Sequence, residues 1–202
     1  MGSEATERAV KAARSPRILH LATHGFFLSD REPAVSSSRG AMVDPIKTQA
    51  FDISSHYANT LVRSGLALAG ANNAAQATDE DDGLLTALEV TGMDLSGTQL
   101  VVLSACETGA GEVQTGEGVF GLRRAFDLAG AKNLLMSLWP VHDQLTAQQM
   151  KTFYLELARV PPAEALRRAQ QDTIKQLERQ PGGIAPPALW APFILQGAHA
   201  FE

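Results

Sequence analysis

Only one cysteine, Cys106, occurs in the 202 residues, so the chain has no internal disulfide framework and suits a reducing cytoplasm, where a reactive thiol survives. No apolar run approaches the ~20 residues of a transmembrane helix, and Met1 to Arg14, charged and rich in alanine, lacks the apolar stretch of a secretory signal. Neither a membrane nor export is expected. A clustered basic face is missing, and the net charge of -5 argues against nucleic acid as a partner. Internal repeats, a phosphate-cradling glycine loop followed by Lys-Ser or Lys-Thr, and His or Cys groups at metal-ligand spacing are also absent, so no cofactor and no metal are expected. What is present, 45% hydrophobic and 19% charged residues, suffices for one ordinary core and one domain.

The lone cysteine stands at the end of a buried-strand pattern. Leu100, Val101, Val102 and Leu103 form a continuous apolar run, the mark of a parallel strand covered on both faces. Small residues Ser104 and Ala105 follow, then Cys106, Glu107, Thr108 and Gly109, where the strand ends and a loop opens. Ligands bind at the carboxyl ends of strands in open α/β sheets, so a thiol placed there is a candidate nucleophile. A lone Cys is as a rule a small buried hydrophobe, and a second stretch tips the reading towards chemistry. Ile18-Leu19-His20-Leu21-Ala22-Thr23-His24-Gly25 repeats the design: an apolar strand, a small polar residue, a histidine and a glycine. A cysteine hydrolase needs a base beside its thiol and backbone N–H groups to receive an oxyanion. His24 is the candidate base, and Gly25 lets the chain turn and bring an N–H close to a substrate carbonyl. His20 alternates with Leu19 and Leu21 and reads as a core or sheet-facing histidine held by a hydrogen bond.

The rest of the chain alternates helix and strand. Ser3 can cap a short helix through Arg14, with Ala5, Ala9 and Ala13 along one face, and Pro16 stops it. Two stretches have no period, Ser29 to Ser54 and Asn72 to Gly83, the second carrying the solvated acidic run Asp79 to Asp82. Long loops beside active sites commonly act as lids, so latent activity is expected. Between them, Leu61 to Ala69 reads as a strand or hairpin arm, and Leu84 to Val90 as a short helix. Leu122, Ala125, Phe126 and Ala129 follow the helical i, i+3, i+4, i+7 rule, with Gly130 as terminator. Leu134 to Leu138 is a further buried strand, parallel to the cysteine strand by the βαβ rule. Thr146 and Gln149 resemble a capping box ahead of Met150, Phe153, Tyr154 and Leu157. Pro161-Pro162 opens another helix, with Leu166, Ala169, Thr173, Ile174 and Leu177 on one side, ended by Pro181-Gly182-Gly183, and a last strand covers Pro192 to Gln196.

With these motifs in order, the chain resembles the CHAT-domain family, caspase-like cysteine peptidases often found behind tetratricopeptide repeats and more distantly similar to separase, legumain and the caspases. The resemblance rests on Leu19 to Gly25, Asp82 to Ala87, Leu103 to Gly109, Gly116-Glu117-Gly118, Ala129-Gly130-Ala131, Ser137 to Val141 and Trp190 to Leu195. It implies an α/β fold, a mostly parallel sheet flanked by helices on both faces. It also implies a catalytic dyad of His24 and Cys106, an oxyanion hole built from the N–H groups of Gly25 and Cys106, and a protein substrate.

The resemblance extends to a pocket. The segment after the strand ending near Leu138 forms one wall of it in caspase-like peptidases. Trp139, held extended ahead of Pro140, offers an apolar platform, and Asp143 resembles the acidic residue of relatives that prefer Arg or Lys. His142 departs from the commoner acidic pair, and Asp143 reads equally as a helix N-terminal carboxylate. The function expected is a cysteine endopeptidase, activated by a partner or by a repeat region. The alternative is a binding module that keeps the fold without proteolysis. The single domain is expected to lack the amino-terminal part of a longer protein, because few residues precede the histidine strand.

Overall fold

A computed structural model describes residues 4–27, 60–72, 82–104, 106–107 and 117–197, with the backbone alone at 106–107 and 117–120. The expected cap Ser3 and most of the two loop segments lie outside these residues, as do Thr108, Gly109 and Gly116.

One four-stranded sheet forms the centre. It contains β1 (Ile18–Leu21), β5 (Leu100–Leu103), β7 (Leu134–Ser137) and β8 (Phe193–Gln196), in the order β1-β5-β7-β8. β1 pairs parallel with β5, β5 parallel with β7, and β7 antiparallel with β8. Every residue of β5 and β7 is buried, which is why both read as unbroken apolar runs rather than as alternating strands. The α/β class, the mostly parallel sheet and the helices on both faces are all present.

The two faces bury different neighbours. Leu21, Val101, Leu103, Leu134 and Met136 share one core with α2 (Ala87–Thr91) and α3 (Glu117–Leu128), where Leu122, Ala125 and Phe126 supply the inward stripe that ends in Ala129. Leu100, Val102, Leu135 and Phe193 share the other with Met150, Phe153 and Leu157 of α4 (Asp143–Leu157) and with Ala165, Leu166 and Ala169 of α5 (Pro162–Glu178). Gly130 follows α3 at φ 95°, the left-handed conformation that suits glycine after a helix.

A second sheet was not foreseen. It runs in the order β4-β3-β2-β6 and consists of β2 (His24–Phe27), β3 (Ser64–Ala67), β4 (Leu84–Thr86) and the two-residue β6 (Cys106–Glu107). β3 pairs antiparallel with β2 and β4, and β2 pairs parallel with β6. The stretch expected as a helix from Leu84 therefore begins as a strand. Thr86 then caps α2 in a full capping box with Glu89.

Two local readings are corrected. The helix α1 spans Glu7–Lys11, capped by Thr6, whose side chain accepts from the Ala9 N–H. Its inward residues are Glu7 and Val10 rather than the alanines. α4 starts at Asp143, so Thr146 and Gln149 lie inside it as buried residues, and the Gln149 side chain donates to the Trp190 carbonyl over 2.8 Å. A spacing of three is shared by a capping box and a helical stripe, and burial decides between them.

Glu7 is 1% exposed. It accepts the Gly83 N–H over 3.0 Å and pairs with Lys11, which also reaches Glu89 at 2.6 Å. Removing the carboxylate leaves a buried N–H and an ammonium short of a partner, so Glu7→Ala should cost roughly 1 to 3 kcal/mol in chemical denaturation. Glu7→Gln, which can still accept from Gly83, should cost less.

Candidate active site

The two strands that carry the candidate dyad break in the same way. β1 ends at Leu21 and β2 begins at His24, while β5 ends at Leu103 and β6 begins at Cys106. The register survives the interruption: Leu21 faces Leu103 before it, and His24 faces Cys106 after it. The two strand pairs thus keep one register across a two-residue step, on one side of which they belong to the first sheet and on the other to the second. Short residues populate the step. Within it, the Ser104 N–H donates to the Leu21 carbonyl at 3.2 Å, and the Thr23 hydroxyl donates to the Ala67 carbonyl on β3.

This geometry sets the backbones of His24 and Cys106 side by side at one strand spacing, ~4.8 Å. They stand just beyond the carboxyl ends of β1 and β5, the edge where α/β sheets hold ligands. The His24 ring is exposed, whereas Gly25 is buried between β3 and β6, opposite Leu66 and Glu107.

Trp139 and Asp143 leave the same edge one strand further along, because β7 lies next to β5 and ends at Ser137. Trp139 is half-buried, and its indole N–H donates to the Ala188 carbonyl of α6 (Pro187–Trp190) over 3.0 Å. The neighbouring Leu138 N–H donates to the Pro192 carbonyl. The ring is therefore tethered to the segment ahead of β8. Asp143 is the exposed first residue of α4, directly after the exposed His142. The fold thus joins His24, Gly25 and Cys106 through a single ladder, while Trp139 and Asp143 lie in the segment that follows β7.

His20 is hydrogen-bonded on both ring nitrogens, to the Ser104 hydroxyl at 3.2 Å through Nε2 and to the Tyr154 hydroxyl at 2.9 Å through Nδ1. Its surface is exposed, yet the surrounding groups desolvate it enough to lower its pKa, and burial pushes the Tyr154 phenol up to about 12. A hydrogen-bonded His20 was anticipated, but its two partners were not. Tyr154 had no distinguishing signal within the apolar stripe of α4, and Ser104 looked only like a small residue at a strand end. Among the described residues no group of three His, Cys, Asp or Glu is placed to hold a metal ion, and no helix is long and apolar enough to cross a membrane.

Sequence comparison supplies the context. Tetratricopeptide repeat protein 28 of Homo sapiens is 35% identical over 115 residues, a match covering 57% of this chain and 4% of that protein. Its Mus musculus counterpart is 34% identical over 115 residues, with the same 57% and 4% coverage. The match thus spans only a small part of these relatives. The CHAT domain model matches residues 1–198, nearly the whole chain, and the protein belongs to the CHAT-domain family, a caspase-like family.

Proposed function

We propose that this domain is a cysteine endopeptidase that cleaves a protein substrate through Cys106 and His24. The observation that carries the reading is the register of β2 and β6, which pairs these two residues at adjacent strand ends. A purely structural sheet has no chemical need for a histidine and the only cysteine at that pair of positions. In the proposed reaction the Cys106 thiolate adds to the scissile carbonyl, and the N–H groups of Gly25 and Cys106 receive the oxyanion. Collapse of the intermediate breaks the C–N bond, and the amine leaves with a proton from the His24 imidazolium. Water, deprotonated by His24, then hydrolyses the thioester and restores the thiol.

In this reading Trp139 forms the platform and Asp143 the acidic wall for the residue before the scissile bond, which favours Arg or Lys. A carboxylate in a partly desolvated pocket is compensated by a cationic side chain. Asp143→Ala should then cost roughly 2 to 5 kcal/mol towards basic substrates and little towards others. If Asp143 serves only the N-terminus of α4, the substitution should cost about 0.3 to 1 kcal/mol of stability and leave the preference untouched. A peptide library presenting Arg, Lys, Leu and Asp before the scissile bond separates the two results.

The two stretches that lack a helical or strand period in the sequence, and the tetratricopeptide repeat proteins among the relatives, support control of the site by a partner or a repeat region, acting in a reducing cytoplasm. Purified domain should therefore be slow alone. Turnover near the ~10 per second of a typical enzyme without any partner would contradict the latency.

A further inference from the structure

The Ser104–His20–Tyr154 string lies outside the proposed dyad, yet it touches the chain at the step that delivers both of its members. His20 is four residues before His24 on one strand, and Ser104 is two residues before Cys106 on the other. Within the sheet, His20 faces Val102, so Ser104 is its diagonal neighbour across the ladder. The imidazole therefore bridges the two strands one step short of the point where they leave the first sheet. Its other nitrogen is held by Tyr154 of α4, whose ring meets the fully buried Phe153 ring edge-on at 5.4 Å between centres. Tyr154 and His20 also face one another, with ring centres 5.7 Å apart. One end of the string is thus anchored in the core beneath α4, and the other ends on the backbone step before the cysteine.

We propose that His20, gripped between Tyr154 and Ser104, is a positioning residue that fixes the strand step ahead of Cys106 and couples it to helix α4. The proposal rests on the dyad reading given above. Ser104 is short and unbranched, so its side chain can do little by packing to define its backbone angles, and displacements of ~1 Å at a reacting atom cost on the order of a hundredfold in rate. A hydrogen bond from a well-anchored ring supplies the missing constraint. Neutral imidazole offers one donor and one acceptor, and the hydroxyls on either side can each play either part, so the string is satisfied in both tautomers. Desolvation keeps both His20 and Tyr154 uncharged near neutral pH, which suits a strut. The same three residues also have the outline of a nucleophile, a base and an orienting group. Against that use, the Ser104 N–H is already committed to the Leu21 carbonyl and is not free to serve an oxyanion.

The test compares the whole chain with its Ser104→Ala, Tyr154→Phe and His20→Gln variants, using His24→Ala as the reference for the dyad. Tyr154→Phe keeps the ring and its packing, so it reports on the hydroxyl even if a His20 variant folds poorly. Peptide cleavage, the rate of Cys106 alkylation by iodoacetamide across pH, and the melting temperature are measured for each. Ser104→Ala and Tyr154→Phe should each lower kcat about tenfold with KM within about twofold, as expected for lost placement. The pH at which Cys106 alkylation is half-maximal should stay unchanged, because His24 is intact. A double variant carrying Ser104→Ala and Tyr154→Phe together should be no slower than His20→Gln, since all of these changes interrupt one string. Unchanged kcat in both hydroxyl variants, with alkylation still lost in His24→Ala, would overturn the coupling and leave the dyad standing. Loss of activity that tracks the melting temperature alone would overturn it too, as would covalent labelling of Ser104 by a fluorophosphonate. Alkylation indifferent to His24→Ala would remove the dyad, and the positioning role with it.

Discussion

Cys106→Ala should eliminate peptide cleavage, lowering kcat on the order of 10⁴ to 10⁶-fold, the scale set by removing the nucleophile of a hydrolase. At 1.36 kcal/mol per decade this is roughly 5 to 8 kcal/mol of transition-state stabilisation. His24→Ala should lose about 10² to 10⁴-fold, because a positioned base contributes that much while the thiol remains available. The two losses should not add, since without Cys106 there is no thiolate for His24 to serve. A domain that only binds partners would behave differently. Both variants would then leave its measurable output, partner affinity, where it was, and mass spectrometry would find no new amino termini that depend on Cys106.

The largest stability effect is expected at the sheet. Phe126 is fully buried on α3, in the core that this helix shares with Leu134 and Met136 of β7. Phe126→Ala removes its apolar contacts and leaves a cavity, at a cost of roughly 3 to 5 kcal/mol. Against a typical total of about 5 to 15 kcal/mol, such a loss leaves a marginal domain. Urea unfolding should show a lower midpoint at an unchanged slope. Leu128, on the same helix but 58% exposed, is the control; Leu128→Ala should stay within about 0.5 kcal/mol.

The core strands and the main helices were legible because burial on both faces leaves an unmistakable pattern. β5 and β7 are apolar at every position, and the Leu122, Ala125, Phe126, Ala129 stripe has a helical period and a terminal glycine. β2 was harder to see. His24 appeared as the end of a strand, whereas it begins a new one, because the two-residue step at Ala22 and Thr23 has no sequence signature separate from a strand end. The preserved register across that step is a tertiary property, visible only when β1 and β5 are aligned. Glu7 was obscured for another reason: a buried carboxylate violates the usual pattern unless its partners are known, and Gly83 lies 76 residues away. The same holds for Tyr154 and His20, joined across 134 residues. The candidate dyad, by contrast, announced itself locally, through two apolar strands that each end in small residues and then a reactive side chain.

The most direct measurement needs neither a substrate nor a partner. Cys106 is alkylated with iodoacetamide near pH 7 in the native chain and in His24→Ala, and the modified site is identified by mass spectrometry. The thiol should react faster than an ordinary cysteine of pKa ≈ 8.5, with the excess rate lost when the imidazole is removed. A rate no faster than that of an ordinary or buried thiol, the same in both proteins, would contradict the pairing of His24 with Cys106.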